Sequence, residues 1–236
     1  MKYNAKSNVI FDGISFSDYN AYSIGCNIYQ RPKRDISVVT IPGRDGSLTF
    51  DNGRYDNCTR EYRIYVEGID NANNLLAALS KKTGYGRLED EYDPELYMIA
   101  YIQNVPSVSN WVGDNALFTV QFDRKPQKFL KSGERVITFT ANGQIRNETL
   151  FDAKPLVRVY GTGTVSIGEK SIQVVQSNTY VDIDCEIQNA YKEGTNCNGD
   201  IRLLSGDFFS LVHGNNGVTI SSGISKVEIT PRWWTL

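Results

Sequence analysis

Hydrophobic and polar residues alternate along most of this chain, which is the pattern of β-strands that bury one face. Thr59 to Glu67 alternates in this way, and Ala116 to Asp123 does so again. Leu96 to Gln103 is nearly all apolar, as expected of a strand at the centre of a sheet. These segments predict a mainly β fold for the first half of the chain.

One segment, between Gly68 and Gly84, changes to the period of an α-helix. Its apolar residues recur at intervals of three and four positions: Ala72, Leu75, Leu76 and Leu79. Asp70 or Asn71 is the expected N-cap, and Gly84 is the expected terminator. The pattern predicts one helix of about three turns that lays a single apolar stripe on a sheet.

The strand pattern stops at Arg124-Lys125-Pro126-Gln127-Lys128 and restarts afterwards. Charge and proline are expected to end a strand here. A chain of 236 residues has room for two ordinary domains. We therefore predict one domain over residues 1–128 and a second over residues 129–236.

The second half has no helical period, and strand patterns recur along it with Gly and Asn turns between them. The predicted strands are Arg135–Thr140, Leu156–Tyr160, Thr164–Ile167, Ser171–Val174, Tyr180–Cys185, Ile201–Leu204, Phe208–Val212, Val218–Ser221 and Lys226–Trp233. Asn215-Asn216-Gly217 is one of the predicted turns. This spacing is typical of a sandwich or a jelly roll.

Composition and charge exclude several classes of protein. Hydrophobic residues make up 40% of the chain and charged residues 22%, which is ordinary for a globular protein and unlike a disordered one. The net charge is −2 and no long run of Lys and Arg occurs, which argues against specific nucleic-acid binding. The sequence predicts neither a membrane span nor a signal peptide, so we expect synthesis in a cytoplasm.

Candidate catalytic and metal-binding residues are few. The single histidine, His213, argues against zinc sites built on histidine pairs and is expected to lie in a turn. The acidic run from Glu89 to Glu95 is expected to be a solvated loop, with metal binding or glycoside hydrolysis as alternatives. Asp182, Asp184 and Glu186 are expected on the wet face of a strand, with a calcium site as the alternative.

Two further predictions concern the cysteines and enzymatic activity. The four cysteines are expected to be free thiols, although a Cys185–Cys197 bridge or a metal site stays open. No catalytic constellation is complete, so we predict that the protein is not an enzyme and uses no cofactor.

A tight reversal stands between Asp35–Thr40 and the strand-like residues from Thr49 onward. Its sequence is Ile41-Pro42-Gly43-Arg44-Asp45-Gly46. Glycine tolerates positive φ, aspartate bonds its own backbone in turns, and proline donates no hydrogen bond to a ladder. The stretch therefore predicts the turn of a β-hairpin.

These signals occur in an order that resembles the distal tail protein family of long-tailed, non-contractile (siphovirus-type) bacteriophages. The motifs that carry the resemblance are Phe11-Asp12-Gly13-Ile14, the hairpin turn, the helix, Phe122-Asp123-Arg124-Lys125-Pro126, Lys154-Pro155-Leu156-Val157-Arg158-Val159-Tyr160-Gly161-Thr162-Gly163 and Pro231-Arg232-Trp233-Trp234. Together they cover nearly the whole chain. Arg124 is a departure, since an aromatic residue or a cysteine is often expected there.

The resemblance implies a tail-tube-like β-sandwich with one helix, followed by a galectin-like β-sandwich. It implies a structural protein of the virion, made in the host bacterial cytoplasm and placed at the distal end of the phage tail. Six copies would form a ring that passes DNA and joins the tail tube protein to the tail-tip hub, a tail-associated lysin-like protein. The C-terminal domains would hold a receptor-binding protein or a host surface glycan.

Two site hypotheses accompany this interpretation. The residues Ile41 to Gly46 are expected at the subunit interface, where Arg44 would pair with a charge on the neighbouring copy; an internal Arg44–Asp45 pair is the alternative. The alternative function is carbohydrate recognition for host adhesion, for which the candidate residues are His213, Asn215, Arg232, Trp233 and Trp234. The two tryptophans are otherwise the end of the last strand, with one ring inward and one outward.

Overall fold

The computed structural model describes residues 6–27, 30–103, 106–108, 110–177 and 179–236. Internal contacts divide the chain into two units, one that ends at Lys128 and includes Leu236, and one that comprises Phe129–Thr235. Strands dominate both units, and the part of the chain that the structure describes contains a single α-helix. The prediction of a mainly β fold is confirmed.

Within its described residues, the first unit has ten strands and the helix. They are β1 (Val9–Phe11), β2 (Ile14–Ser15), β3 (Ala21–Cys26), β4 (Arg34–Thr40), β5 (Ser47–Tyr55), β6 (Cys58–Val66), α1 (Ile69–Ser80), β7 (Gly86–Asp90), β8 (Leu96–Ile102), β9 (Asn110–Val112) and β10 (Asn115–Leu130). A short 3-10 helix, Phe16–Tyr19, precedes β3.

The main sheet of this unit has the order β2-β1-β7-β8-β10-β6-β3, with β9 paired to β10. Its two ends approach each other, because Ser7 and Ser23 exchange backbone hydrogen bonds of 3.1 and 2.8 Å. Phe11 on β1 and Phe122 on β10 also meet, with ring centroids 4.9 Å apart. The sheet therefore curls around a core of inward-facing aliphatic and aromatic side chains.

The helix prediction is confirmed: α1 spans Ile69–Ser80 and buries Ala72, Leu75 and Leu79. Its N-cap is Gly68 and its C-cap is Lys81, so the predictions of Asp70 or Asn71 as the N-cap and of Gly84 as the terminator were wrong. Gly68 has a φ of +92°, which favours glycine there. The Asn71 side chain instead donates to the carbonyl of Glu67.

The predicted strand end at residues 124–128 was wrong, since β10 continues to Leu130. Arg124 is fully buried within this strand. Its guanidinium donates to the carbonyl oxygens of Lys125, Pro126 and Gln30 at 2.9 to 3.3 Å. Those backbone acceptors explain how a charged residue lies inside the strand, although burial lowers the pKa of Arg124.

The prediction of a solvated loop at residues 89–95 was also wrong for Asp90. This residue ends β7 and its side chain is buried, where Oδ2 accepts from Arg60 Nη2 at 2.7 Å and from the Tyr62 hydroxyl at 2.5 Å. Asp93 extends the cluster, because its Oδ2 lies 3.4 Å from both Arg60 and Lys128. The run of acids thus holds β7 to β6 across the curled sheet.

The second unit is a sandwich of two sheets. Its strands are β11 (Ile137–Phe139), β12 (Gly143–Asn147), β13 (Leu156–Gly161), β14 (Gly163–Ile167), β15 (Lys170–Val174), β16 (Tyr180–Asp184), β17 (Asn189–Lys192), β18 (Thr195–Asn196), β19 (Ile201–Leu203), β20 (Gly214–Ile220), β21 (Ile224–Thr230) and β22 (Trp234–Thr235). One sheet has the order β11-β21-β13-β16-β17-β18 and the other β12-β20-β14-β15-β19. Short 3-10 helices lie at Lys131–Glu134 and Asn198–Asp200.

Most predicted strands of this half are present within a residue or two, but several details differ. Residues 208–212 form no strand, only an isolated bridge between Ala153 and Leu211. The predicted turn at Asn215-Asn216-Gly217 lies inside β20, and the last long strand ends at Thr230. Gly161, where β13 and β21 shift register, has a φ of +100°, and a Cβ there would lie 2.2 Å from the carbonyl oxygen of Gly223.

The expectation that Asp182 and Asp184 are solvated was wrong as well. Both side chains lie on the face of β16 that points away from the core, yet long neighbouring side chains nearly bury them. Asp182 accepts two bonds from Arg158, at 2.6 and 2.9 Å, and Asp184 accepts two from Arg232, at 2.7 and 2.8 Å. The outer face of this sheet is therefore a layer of paired charges.

Candidate assembly interface

Strands β4 and β5 form a two-stranded sheet of their own, which we call the arm (Arg34–Tyr55). Almost every residue of the arm is exposed. An isolated hairpin is marginally stable in water, since it has no core against which to pack. The arm therefore has no core of its own chain to stabilise it.

Both faces of the arm carry large apolar side chains. The register pairs Val39 with Leu48 and Ser37 with Phe50 on one face, and Val38 with Thr49 on the other. Val38 is 62% exposed and Phe50 is 56% exposed. Exposed apolar clusters of this kind make the arm a candidate interaction surface.

The base of the arm is fixed by polar contacts. Arg34 pairs with Asp51, and Arg54 Nε lies 2.6 Å from Asp35 Oδ2. The Asn52 amide bonds also hold Asp35 and lower its pKa, with Arg54 as the next cause. These pairs are exposed and add little stability one by one, but they set the shape in which the arm is presented.

The tip of the arm is the predicted hairpin turn, Ile41 to Gly46. The Arg44 amide donates to the carbonyl of Ile41 at 3.2 Å, and Gly43 has a φ of +80°. Proline at the second position and a positive-φ glycine at the third are the features of a type II turn. Within the described residues, the Arg44 and Asp45 side chains make neither an ion pair with each other nor one with another group.

The tryptophans of the sugar-binding hypothesis are engaged in the second unit. Trp233 is buried in the core, and Trp234 stacks on Phe151 with ring centroids 4.4 Å apart. The Trp234 indole also donates to the carbonyl of Asp152 at 2.9 Å. Arg232, at a φ of +59°, is held by Asp184.

His213 and Asn215 are exposed beside and within β20. His213 Nδ1 lies 2.8 Å from the carbonyl oxygen of Thr149, to which the protonated nitrogen donates. Thr149 belongs to the same short segment as Phe151 and Asp152, so one loop contacts both the histidine and Trp234. Sugar binding at these residues stays a prediction.

Sequence reasoning missed the polar side chains that shape this loop. Asn147 is fully buried, donates to the carbonyls of Phe151 and Leu211, and accepts from Thr149. Asn216 closes the turn before β20 through Val212. Asparagine is common in exposed turns, so no local pattern distinguishes these buried amides from solvated ones.

Other kinds of site find little support in the described ranges. No group of three metal-ligating side chains is placed to hold an ion there. None of the helices described is long and apolar enough to cross a membrane. Free thiols occur at all four cysteines: Cys26, Cys58, Cys185 and Cys197. The alternative prediction, a Cys185–Cys197 disulfide, was therefore wrong.

Along nearly its whole length, the chain has the fold of a phage distal tail and hub adsorption protein. The structure concerned is SPP1 Dit (gp 19.1), described as a paradigm of the hub adsorption apparatus in phages that infect Gram-positive bacteria. The TM-score is 0.73, the match covers 98% of this chain and 99% of that one, and the sequences are 15% identical. At this identity the match shows the fold, and it confirms the resemblance at that level. No protein-family model and no curated protein matches the sequence.

Proposed function

We propose that this protein is a structural component of the distal end of a bacteriophage tail. Six copies would close into a ring that joins the tail tube to the tail-tip hub and leaves a channel for DNA. The observation that carries the proposal is an exposed apolar arm on a chain with the fold of a tail-hub protein. The tube protein and the hub protein are the expected partners, in the virion.

The arm supplies the kind of contact that a ring needs. A ring closes through heterologous contacts, in which one patch of each copy meets a different patch of the next. The apolar arm residues are about half exposed, so covering each one contributes roughly 1 kcal/mol.

The charge of the chain is compatible with a DNA channel. A strongly basic lumen would bind phosphates and hold the DNA, because neutralised phosphates release their counterions. The net charge of −2 gives the whole chain no such excess. This argument supports the proposal without naming the residues that would line the channel.

Native mass spectrometry followed by electron microscopy tests the proposal. We expect a hexamer with a central hole, either for the chain alone or after addition of the tube and hub proteins. Val39→Asp together with Phe50→Asp should abolish the ring, since each places a charge in the apolar contact.

Val136→Asp is the matched control, because Val136 is a similarly exposed aliphatic residue that belongs to the second unit and not to the arm. It should leave the ring intact. A wild-type chain that forms no closed ring even with tube and hub proteins present would overturn the proposed function.

A further inference from the structure

The dipeptide Asn-Gly occurs four times in the chain, with its asparagine at positions 52, 142, 198 and 216. An asparagine before glycine can lose its side-chain amide without an enzyme, because the glycine nitrogen attacks the side-chain carbon and no Cβ hinders the approach. The reaction needs a side chain that is free to move and a glycine amide that is accessible. One of the four sites meets both conditions.

That site, Asn52-Gly53, lies at an irregularity of the arm. The register shifts between Arg34 and Ile36 on β4, so residues 52–54 of β5 oppose the single residue at position 35. Both residues of the site are exposed. Gly53 has a φ of +72°, and no atom lies within 4 Å of the place of a Cβ. Movement of the backbone here therefore disrupts no packed core.

The amide of Gly53 is directed at a carboxylate. Its N–H donates to Asp51 Oδ1 at 2.8 Å. This bond and the pairing with Arg34 lower the pKa of Asp51, so the carboxylate is ionised at neutral pH. A carboxylate in hydrogen-bond contact with the attacking nitrogen is placed to take its proton as a general base.

The other three asparagines are held in place by their own side chains. The side-chain oxygens of Asn142 and Asn198 each accept a backbone amide, at 2.9 and 2.7 Å. Asn216 is 1% exposed and both accepts and donates bonds in the turn before β20. The Asn52 nitrogen donates to two side chains of β4, but these bonds lie at the surface, where water competes for them.

We propose that Asn52-Gly53 is a site of spontaneous deamidation in the folded protein. The Gly53 nitrogen forms a bond to Cγ of Asn52 while Asp51 takes its proton. The bond from Cγ to Nδ2 then breaks, and the nitrogen takes up that proton and leaves as ammonia. Water opens the resulting cyclic imide at either carbonyl, so position 52 becomes aspartate or isoaspartate.

The product changes the base of the arm. It lacks the amide nitrogen that bonds Asp35 and Ser37 on β4. It also adds a negative charge beside Asp35 and Asp51, where like charges repel. The modification is therefore expected to loosen the arm. This inference is independent of the proposed function, since it concerns the chemistry of a single chain.

Peptide mass spectrometry of the full chain, stored at neutral pH, tests the site. Position 52 should convert several-fold faster than positions 142, 198 and 216. In urea, where the folded contacts are lost, the four rates should converge. Equal rates in the folded protein would overturn the inference, and so would a difference that persists in urea, because sequence and not the fold would then set the selectivity.

Variants test the role of the carboxylate. Asp51→Ala should slow the conversion several-fold, because it removes the group that receives the proton. Arg34→Ala is the matched control: it breaks the same ion pair but keeps the carboxylate, so the conversion should not slow. An unchanged rate in Asp51→Ala would show that Asp51 is not the base.

Hydrogen exchange tests the consequence for the arm. Asn52→Asp should reproduce the loss of protection that the arm peptides show in stored wild-type protein. Asn52→Gln should keep its protection over the same storage time, because its longer side chain must close a larger ring. If stored protein and Asn52→Asp both keep the protection of fresh wild type, the modification does not loosen the arm. None of these readouts requires a ring, so their failure would leave the proposed function standing.

Discussion

Removal of the Asp90 carboxylate is the sharpest test of how the first unit is held together. In Asp90→Ala, the buried Arg60 loses its 2.7 Å partner and the Tyr62 hydroxyl loses its acceptor. The Arg60 side chain is 2% exposed, so water does not replace the carboxylate without a structural change. Asp93 remains, but at 3.4 Å and partly in solvent.

The expected cost follows from the uncompensated charge. Removing one partner of a buried ion pair costs about 3–5 kcal/mol, and leaving a buried hydroxyl unsatisfied adds about 1–3 kcal/mol. Asp93 and the polar neighbourhood reduce that sum, so we expect a loss of about 3 kcal/mol in the free energy of unfolding. This is a large share of the stability of an ordinary domain.

Urea unfolding measures the loss of stability, and peptide-resolved hydrogen exchange shows whether the loss occurs in the first unit of the chain. With a slope of about 1–3 kcal/mol per molar urea, the midpoint should fall by 1 M or more. Protection should be lost in the peptides of β6 and β7, and the peptides of the second unit should keep theirs.

The control replaces the whole cluster with apolar residues. Arg60→Met, Tyr62→Phe and Asp90→Leu together remove the buried cation and the hydroxyl that would be left unpaired, and they keep similar volumes. The Asp93 amide still loses its 2.9 Å bond to Asp90 Oδ1, so part of the stability should return. If Asp90→Ala shifts the midpoint by less than 0.3 M, corresponding to a loss of under about 1 kcal/mol, then the buried pair does not hold β7 to β6 and the reasoning is wrong.

Three further predictions concern the second unit. Gly161→Ala should lower the stability of this unit by about 2 kcal/mol or more in thermal melts, because the new Cβ meets backbone atoms. Gly194→Ala is the control: Gly194 also has a positive φ but faces open space, so this change should cost about 1 kcal/mol. Burial alone would raise the pKa of Asp184, but hydrogen bonds from Arg232 and from backbone amides outweigh burial and lower the pKa. The ionised Asp184 therefore stabilises the fold above the unfolded pKa of about 4, and this contribution is lost as the pH falls below it. Asp184→Asn should flatten that part of an acid-unfolding curve. Burial raises the pKa of Cys185 to about 12, so maleimide should label it only at urea concentrations that unfold the second unit, and rapid native labelling would contradict its burial.

The features that sequence predicted are those that local periodicity encodes. α1 and strands such as β6 and β10 bury one face, so their apolar residues repeat at 3.6 or 2 positions wherever the chain is regular. The hairpin turn was predictable for the same kind of reason, because Pro42 and Gly43 are the residue types that its backbone requires. These signals need no knowledge of distant parts of the chain.

The errors occur where a distant partner changes the meaning of a charged residue. Asp90 lies in a run of acids that resembles a wet loop, and its burial depends on Arg60, thirty residues earlier. Asp182 and Asp184 alternate with apolar residues as exposed positions do, yet Arg158 from β13 and Arg232 from the segment after β21 cover them. A carboxylate is buried only with its cation, and a single sequence does not pair the two.

In the arm, one feature follows from local periodicity and another depends on distant contacts. Its alternation predicts a hairpin, but only the structure shows that Val38 and Phe50 have no core beneath them. In the isolated chain these side chains contribute almost nothing to folding, since water surrounds both faces of the ribbon. Their apolar character yields stability only where another surface covers them. This is the physical reason behind the proposal that the arm makes contacts between molecules.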